Sequence, residues 1–211
     1  MNTPSDNPSG SHYFSESPTS TSRRHDFTVL VGDRELTLSA DAGVFSQHGL
    51  DKGTAVLLDS LQRRPLPQIE DGSTLCDLGC GTGAIALALA VLFPQCTILA
   101  VDVNERARQL CTENADRNKI RNVRVVHPDE VATDTAIELL WSNPPIRIGK
   151  GQLRELLTLW LSRLSPTGHA HLVVSKNLGA DSLSDWLNDT GFATRKLSSS
   201  KGFRVLEVEK N

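Results

Sequence analysis

Asn143-Pro144-Pro145 follows directly on the apolar run Ile137 to Ser142. A strand that ends in two prolines has a fixed exit, because each ring sets its own φ and pushes the preceding residue toward extended backbone. Asn143 is thereby held at a strand tip, with its side-chain oxygen and nearby backbone carbonyls free to accept hydrogen bonds. Those are the groups needed to grip a planar NH2. The nitrogen of such a group is a poor nucleophile, since its lone pair is delocalised. Two acceptors aimed at its two hydrogens rotate and pyramidalise it, and they stabilise the positive charge that develops as it attacks. The Asn143 oxygen and the Pro144 carbonyl are the candidate acceptors, and Pro145 fixes the turn. No general base of special pKa is required, because the alkylated ammonium is itself acidic.

A second segment supplies a cofactor site. In Asp77-Leu78-Gly79-Cys80-Gly81-Thr82-Gly83 the chain turns from a strand into a helix, and Gly79, Gly81 and Ala84 satisfy a G-x-G-x-x-A pattern with Gly83 as an extra glycine. Glycine permits the tight turn and close approach of a ligand to backbone, and the helix start offers free N–H groups. Asp102, followed by Val103, ends the next strand, where a carboxylate can bond ribose hydroxyls. Alone, this pattern fits any nucleotide-containing cofactor, NAD included. Asp77 favours S-adenosylmethionine: a carboxylate just before the turn can meet a cationic amino group or an intervening water, and is unwanted beside a pyrophosphate. Asp129, after the third strand, either caps an adenine amino group or is a solvated loop carboxylate.

The elements that must hold these segments are legible as alternating patterns. Strands are expected at 74–78, 97–101, 123–126, 137–142, 169–175, 192–197 and 203–209, with helices at 84–92, 105–114, 152–164 and 183–188. Apolar strands spaced by helices make a parallel sheet covered on both faces. The last two strands are joined by too few residues for a crossover helix, so they form an antiparallel pair at a sheet edge. Before this core, residues 27–31 and 35–38 alternate around Gly32-Asp33 as a hairpin, and an amphipathic helix spans about 53–62. The breaker Arg63-Arg64-Pro65-Leu66-Pro67 closes it. The expected division is a disordered tail over 1–11, an N-terminal extension over 12–67 that lids the cofactor or touches substrate, and a core over 68–211.

With 211 residues, net charge −3 and a sequence pI near 6.1, the chain has no global basic field. Any nucleic-acid contact must come from a local patch. No apolar run reaches the roughly 18–20 residues of a membrane helix, and the polar start carries no signal core, so a cytoplasmic protein is expected. Cys76, Cys80, Cys96 and Cys111 sit in element positions rather than at framework spacings, which reads as reduced packing thiols. No His or Cys pair supports a zinc site, and no metal is expected.

From about His12 onward the chain resembles the class I methyltransferases of the small-domain group, nearest to the small-subunit ribosomal RNA guanine-N2 methyltransferases. The resemblance is carried by His12-Tyr13-Phe14-Ser15, Gly43-Val44-Phe45-Ser46, Leu50-Asp51-Lys52-Gly53-Thr54 and the glycine turn. Asn143-Pro144-Pro145-Ile146-Arg147-Ile148-Gly149-Lys150, Lys176 with Gly179-Ala180, and Lys201-Gly202-Phe203 complete it. It implies a Rossmann-like α/β fold with a seven-stranded, mostly parallel sheet and an antiparallel edge strand. It also implies S-adenosylmethionine as cofactor, and methyl transfer to the exocyclic N2 of a guanine in ribosomal RNA or a ribosomal subunit. By resemblance the loop with Phe45 closes over the cofactor, and the helix begun by Asp51 and Thr54 flanks it. The best-known members carry a second, degenerate domain, and this chain has one.

Where many Asn-Pro-Pro enzymes carry Tyr or Phe next, this chain has Ile146. That argues against adenine-N6 and release-factor glutamine methylation, the enzyme alternatives, and gives the target apolar contact without stacking. Arg147, Lys150, Arg154, Lys176 and Lys201 flank the tip and can neutralise phosphates. Trp141, Trp160 and Trp186 read as core, and His169 and His171 as partly exposed strand residues. A non-catalytic cofactor-binding RNA assembly factor and a nicotinamide oxidoreductase are the readings from other classes, and the latter gives Asn143-Pro144-Pro145 no role. A monomer is expected.

Overall fold

The computed structural model describes residues 23–42, 44 and 49–210. The tail, the His12–Ser15 motif and Phe45 lie outside the described residues. Seven strands pair in the order β5-β4-β3-β6-β7-β9-β8. They are β3 Thr74–Leu78, β4 Thr97–Val101, β5 Val123–Val126, β6 Ile137–Ser142, β7 Leu164–Ser175, β8 Phe192–Ser200 and β9 Phe203–Lys210. The five from β3 to β7 pair parallel, and β9 runs antiparallel to both β7 and β8. β3, β4 and β6 read as continuous apolar runs because both of their faces are covered.

Chain direction decides which helix covers which face. From β3 the chain steps outward through α2 Ala84–Leu92 to β4, and through α3 Glu105–Arg117 to β5. From β6 it steps the other way, through α4 Lys150–Leu161 to β7 and α5 Ala180–Asp189 to β8. Right-handed crossovers in opposite directions put these two helix pairs on opposite faces. The face shared with α2 would therefore be bare over β6, β7 and β9. The extension fills it: Val56, Leu57, Leu58 and Leu61 of α1 Lys52–Gln62 join one buried cluster with Trp141, Val173 and Val205. α1 thus arrives with its N-terminus at the carboxyl end of β6.

The hairpin of β1 His25–Val31 and β2 Arg34–Ala40 packs into the same cluster through Val29, Val31, Leu36 and Leu38. Two asparagines, Asn114 of α3 and Asn118 at that helix's C-cap, pair with the hairpin's edge as a strand would. Asn114 Oδ1 accepts from Ser39 N–H at 2.8 Å, and Asn118 Oδ1 from Thr37 N–H at 3.0 Å. Asn114 also donates to the Thr82 carbonyl at 2.9 Å, tying the hairpin to the glycine turn.

β7 starts at Leu164, five residues ahead of the expected start, because Pro166 and Gly168 sit at a register irregularity opposite Ile137 and Leu139. β8 runs on through three serines, past a shift between Lys196 and Ser198, to a two-residue turn. Lys201 and Gly202 both take positive φ there (48° and 82°), the left-handed geometry a tight hairpin demands. Trp141 and Trp160 are buried, as expected, while Trp186 is half-buried under the Arg154 guanidinium. His169 is partly exposed, but His171 is buried, contrary to expectation. Register places it between Trp141 and Glu207, and its Nε2 lies 3.3 Å from the Glu207 carboxylate. Burial lowers the His171 pKa, and the hydrogen bond from His171 lowers that of Glu207.

Candidate active site

β3 and β6 are neighbours whose onward connections run in opposite directions, so a crevice opens between their carboxyl ends. The glycine turn leaves β3 there, and Asn143 leaves β6. Ser142, fully buried, donates from its hydroxyl to the Leu78 carbonyl at 2.7 Å and fixes the two tips to each other. One cavity brings together Leu50, Asp51 and Thr54 of the extension, Gly79, Cys80 and Gly81 of the turn, and Asn143.

The turn is shaped by positive φ at Gly79, Gly81 and Gly83 (78°, 53° and 84°). Nothing lies within 4 Å of a Cβ added at Gly79, so glycine is needed there for conformation alone. At Gly83 that atom would lie 2.6 Å from the Cys111 sulfur. Gly83→Ala is therefore expected to cost about 3 kcal/mol, a left-handed non-glycine residue plus overpacking. Urea unfolding measures it, and a cost below about 1 kcal/mol would show that α3 yields readily.

Most of the turn's N–H groups are already used. Those of Gly79 and Cys80 bond the Val101 carbonyl at 2.8 and 3.0 Å, and that of Gly81 bonds Asp102 Oδ2 at 2.9 Å. A pyrophosphate needs such groups free, so the arrangement disfavours a dinucleotide. Cys80 is buried, and its thiol pKa is raised by the hydrogen bond with Cys111 and by burial. All four cysteines are free and buried, and no metal-binding cluster occurs among the described residues.

Asp77 lies behind the turn rather than facing the cavity. It is fully buried, its Oδ2 accepts from Ala86 N–H at 2.9 Å in the first turn of α2, and its Oδ1 has no protein partner. Burial pushes its carboxyl up to about 8. An orphaned buried acceptor behind the glycine turn fits a ligand that brings a cation or a donor. Asp102 is raised by burial against the N–H groups of Asn104 and Gly81. Three backbone N–H groups, those of Asn104, Gly81 and Val103, already point at the carboxylate, which keeps spare acceptor capacity for a ribose hydroxyl. Val103 beside it presents an exposed apolar side chain. Asp129 is 90% exposed at the end of β5, beside His127.

Asp102→Ala is expected to weaken cofactor binding by roughly 1–3 kcal/mol, the cost of a lost buried partner. An unchanged dissociation constant by calorimetry would remove Asp102 from the ribose site.

Asn143 is held from the extension. Its Nδ2 donates to Asp51 Oδ1 at 2.7 Å and to Thr54 Oγ1 at 3.1 Å. Asp51 is the N-cap of α1, and the same Oδ1 accepts from Gly53 and Thr54 N–H at 2.7 and 3.2 Å. Gly53 lets these groups close up: a Cβ there would meet Asp51, Phe203 and Asn143 at 3.0, 3.1 and 3.2 Å. Pro145 sits at φ −75°, ψ 73°, an inverse γ-turn in which Ile146 N–H bonds the Pro144 carbonyl at 2.8 Å. The carbonyl is thereby aimed, and one lone pair remains.

Ile146 and Lys150 meet in a separate depression with Arg154, between α4 and α5. Arg147 is exposed on the short helical turn between them. Lys176 follows directly on β7, and its N–H bonds the Gly202 carbonyl at 2.9 Å, which brings it beside the Lys201 turn. Sequence reading assigned no role to Ser142 or Phe203, and no contact between Asp51 and Asn143. The Leu50–Thr54 and Lys201–Phe203 motifs were its only signals for them.

The model of the family "Methyltransferase small domain" matches residues 35–207. The chain is 33% identical over 202 residues to the uncharacterized protein YbxB of Bacillus subtilis, covering 94% of this chain and 98% of that one. It is 38% identical over 126 residues to ribosomal RNA small subunit methyltransferase C of Acinetobacter baumannii, which covers 58% of this chain but 36% of the relative. This chain thus spans about a third of that protein's length. Among solved structures, the Thermus thermophilus 16S rRNA N2 G1207 methyltransferase (RsmC), in complex with AdoMet and guanosine, superposes with a TM-score of 0.77 at 23% identity. The match covers 92% of this chain and 52% of that one, and at such identity it establishes the fold. With its sheet order, glycine turn and Asn-Pro-Pro tip at adjacent strand ends, this chain belongs to the methyltransferase small domain family, whose cofactor is S-adenosylmethionine.

Proposed function

We propose that this protein methylates the exocyclic N2 of a guanine in small-subunit ribosomal RNA. The observation that carries the reading is the orientation of Asn143. Its NH2 is consumed by two acceptors of the extension, so the atom left for a target is its oxygen. A target at this tip must therefore donate a hydrogen, as an exocyclic amine does.

S-adenosylmethionine supplies an electrophilic methyl on a sulfonium. The protein's part is positional and electrostatic. Asn143 Oδ1 and the remaining lone pair of the Pro144 carbonyl accept the two amine hydrogens, turn the nitrogen lone pair out of the ring's conjugation and stabilise the charge that grows on it. The glycine turn, backed by Asp77, and Asp102 hold the cofactor, with Val103 and Thr54 as further walls and Asp129 as the adenine cap.

The choice of guanine rests on the kinship with relatives named for small-subunit ribosomal RNA methylation and on Ile146, which removes the stacking ring of the adenine-N6 and glutamine enzymes. Arg147, Lys150, Lys176 and Lys201 are exposed and make no ion pair among the described residues, which suits them to phosphates. A base in structured RNA must be unpaired or flipped out to reach Asn143. No described helix is long and apolar enough to cross a membrane. A monomer working in the cytoplasm on nascent or assembled subunits fits this reading.

The test is transfer from methyl-labelled S-adenosylmethionine to three acceptors from cells lacking the protein: naked ribosomal RNA, small ribosomal subunits and soluble protein. Label in RNA, from either particle, supports the reading. Label in protein alone overturns it.

A further inference from the structure

Asn143 gives the reacting NH2 its acceptor only if the amide is held oxygen-outward, and the structure shows what holds it. An amide set free at a strand tip can rotate by half a turn and present its NH2 instead, which would repel an amine donor. Asp51 prevents this through its own bonding pattern, whichever way the amide starts. Its carboxylate can only accept, and Gly53 and Thr54 N–H already converge on the Oδ1 that faces Asn143, at 2.7 and 3.2 Å. An amide oxygen at 2.7 Å from that atom would meet like charge, so the nitrogen must face it. Thr54, buried, accepts the second hydrogen. A charged acceptor on the NH2 also polarises the amide, making the opposite oxygen a stronger acceptor.

We infer that Asp51, the N-cap of α1, is a positioning residue for methyl transfer: it locks the Asn143 amide with its oxygen toward the target, so that the site selects N–H donors. The inference rests on the reading of Asn143 as the acceptor. It goes beyond that reading by giving the extension a direct part in turnover, in addition to lidding the crevice. It also accounts for Gly53, since any side chain there would push into the Asp51–Asn143 contact.

Three variants separate the lock from the helix cap. Asp51→Ser keeps a good N-cap but is too short to reach Asn143. Asp51→Asn keeps both a capping oxygen and an acceptor for the amide. Thr54→Val removes the second acceptor at nearly constant volume. For Asp51→Ser we expect a melting temperature within about 2 °C of wild type, since Ser and Asp cap about equally. Its kcat should fall roughly tenfold or more, the scale of one charge-assisted hydrogen bond, with KM for RNA and the dissociation constant for S-adenosylmethionine little changed. Thr54→Val should show a smaller fall of the same kind, and Asp51→Asn should recover most of the turnover.

The structural readout is the Asn143 side-chain NH2 signal in a 15N-labelled sample, assigned by its loss in Asn143→Ala. In wild type it should be protected from solvent exchange, and in Asp51→Ser it should approach a free amide. Wild-type kcat in Asp51→Ser would overturn the lock. So would cofactor affinity falling in step with turnover, or no recovery in Asp51→Asn. If wild type methylates no guanine, the functional reading fails separately. The lock then stands or falls on the amide signal, and an unchanged signal in Asp51→Ser overturns it.

Discussion

Replacing Asn143 with alanine is expected to lower turnover by about a hundredfold or more while leaving the S-adenosylmethionine dissociation constant within about twofold, the pattern of losing one preorganised polar group. The separation follows from how the site is built. Asp51 keeps its two capping bonds without Asn143, so the N-terminus of α1 stays in place. Ser142 still ties β6 to β3 through the Leu78 carbonyl, so the glycine turn does not move. What disappears is the oxygen that would meet the amine hydrogen in the transition state. Single-turnover transfer and calorimetric cofactor binding measure the two quantities. Equal losses in both would make Asn143 a structural residue of the tip.

Asp77→Asn is expected to stabilise the ligand-free protein at pH 8 by several kcal/mol and to flatten its pH dependence. The folded carboxyl, held near 8 mainly by burial, keeps a proton well above the roughly 3.9 of an unfolded aspartate. Between about pH 4 and pH 8 the folded state therefore binds more protons than the unfolded one, and stability falls as pH rises across that window. Asp77's contribution is complete below pH ~4 and lost above pH ~8. Asparagine cannot titrate and can still offer an oxygen to Ala86 N–H. The gain should come with weaker cofactor binding, a buried ionisable group being retained behind the glycine turn at the expense of stability. Urea unfolding from pH 5 to pH 8 decides it, and parallel curves for wild type and variant would contradict the assignment.

Much of this fold was legible in the sequence, for local reasons. β3, β4, β5 and β6 match their expected bounds because each is a short apolar run bounded by turn or polar residues. The start of β7 was not, since Pro166 and Gly168 are ordinarily breakers and are tolerated here only at a register irregularity. The glycine turn and the Asn-Pro-Pro tip could each be read from spacing, and the sheet order then sets them side by side. Long-range contacts carried no such signal. Asp51 and Asn143 are 92 residues apart, and His171 finds Glu207 across 36. Asp77 showed that a correct motif does not fix exposure: its carboxylate sits wholly behind the turn, since both faces of β3 are covered.

The most direct test of the account is the identity of the methylated atom. Small-subunit ribosomal RNA from cells lacking the protein, labelled by purified enzyme and S-adenosylmethionine, would be digested to nucleosides and resolved by mass spectrometry. The account predicts that the label is recovered as N2-methylguanosine, and that Asn143→Ala lowers the initial rate at which that peak grows by about a hundredfold or more. Label on N6-methyladenosine, on a ring nitrogen without an exocyclic NH2, or on ribose would contradict it.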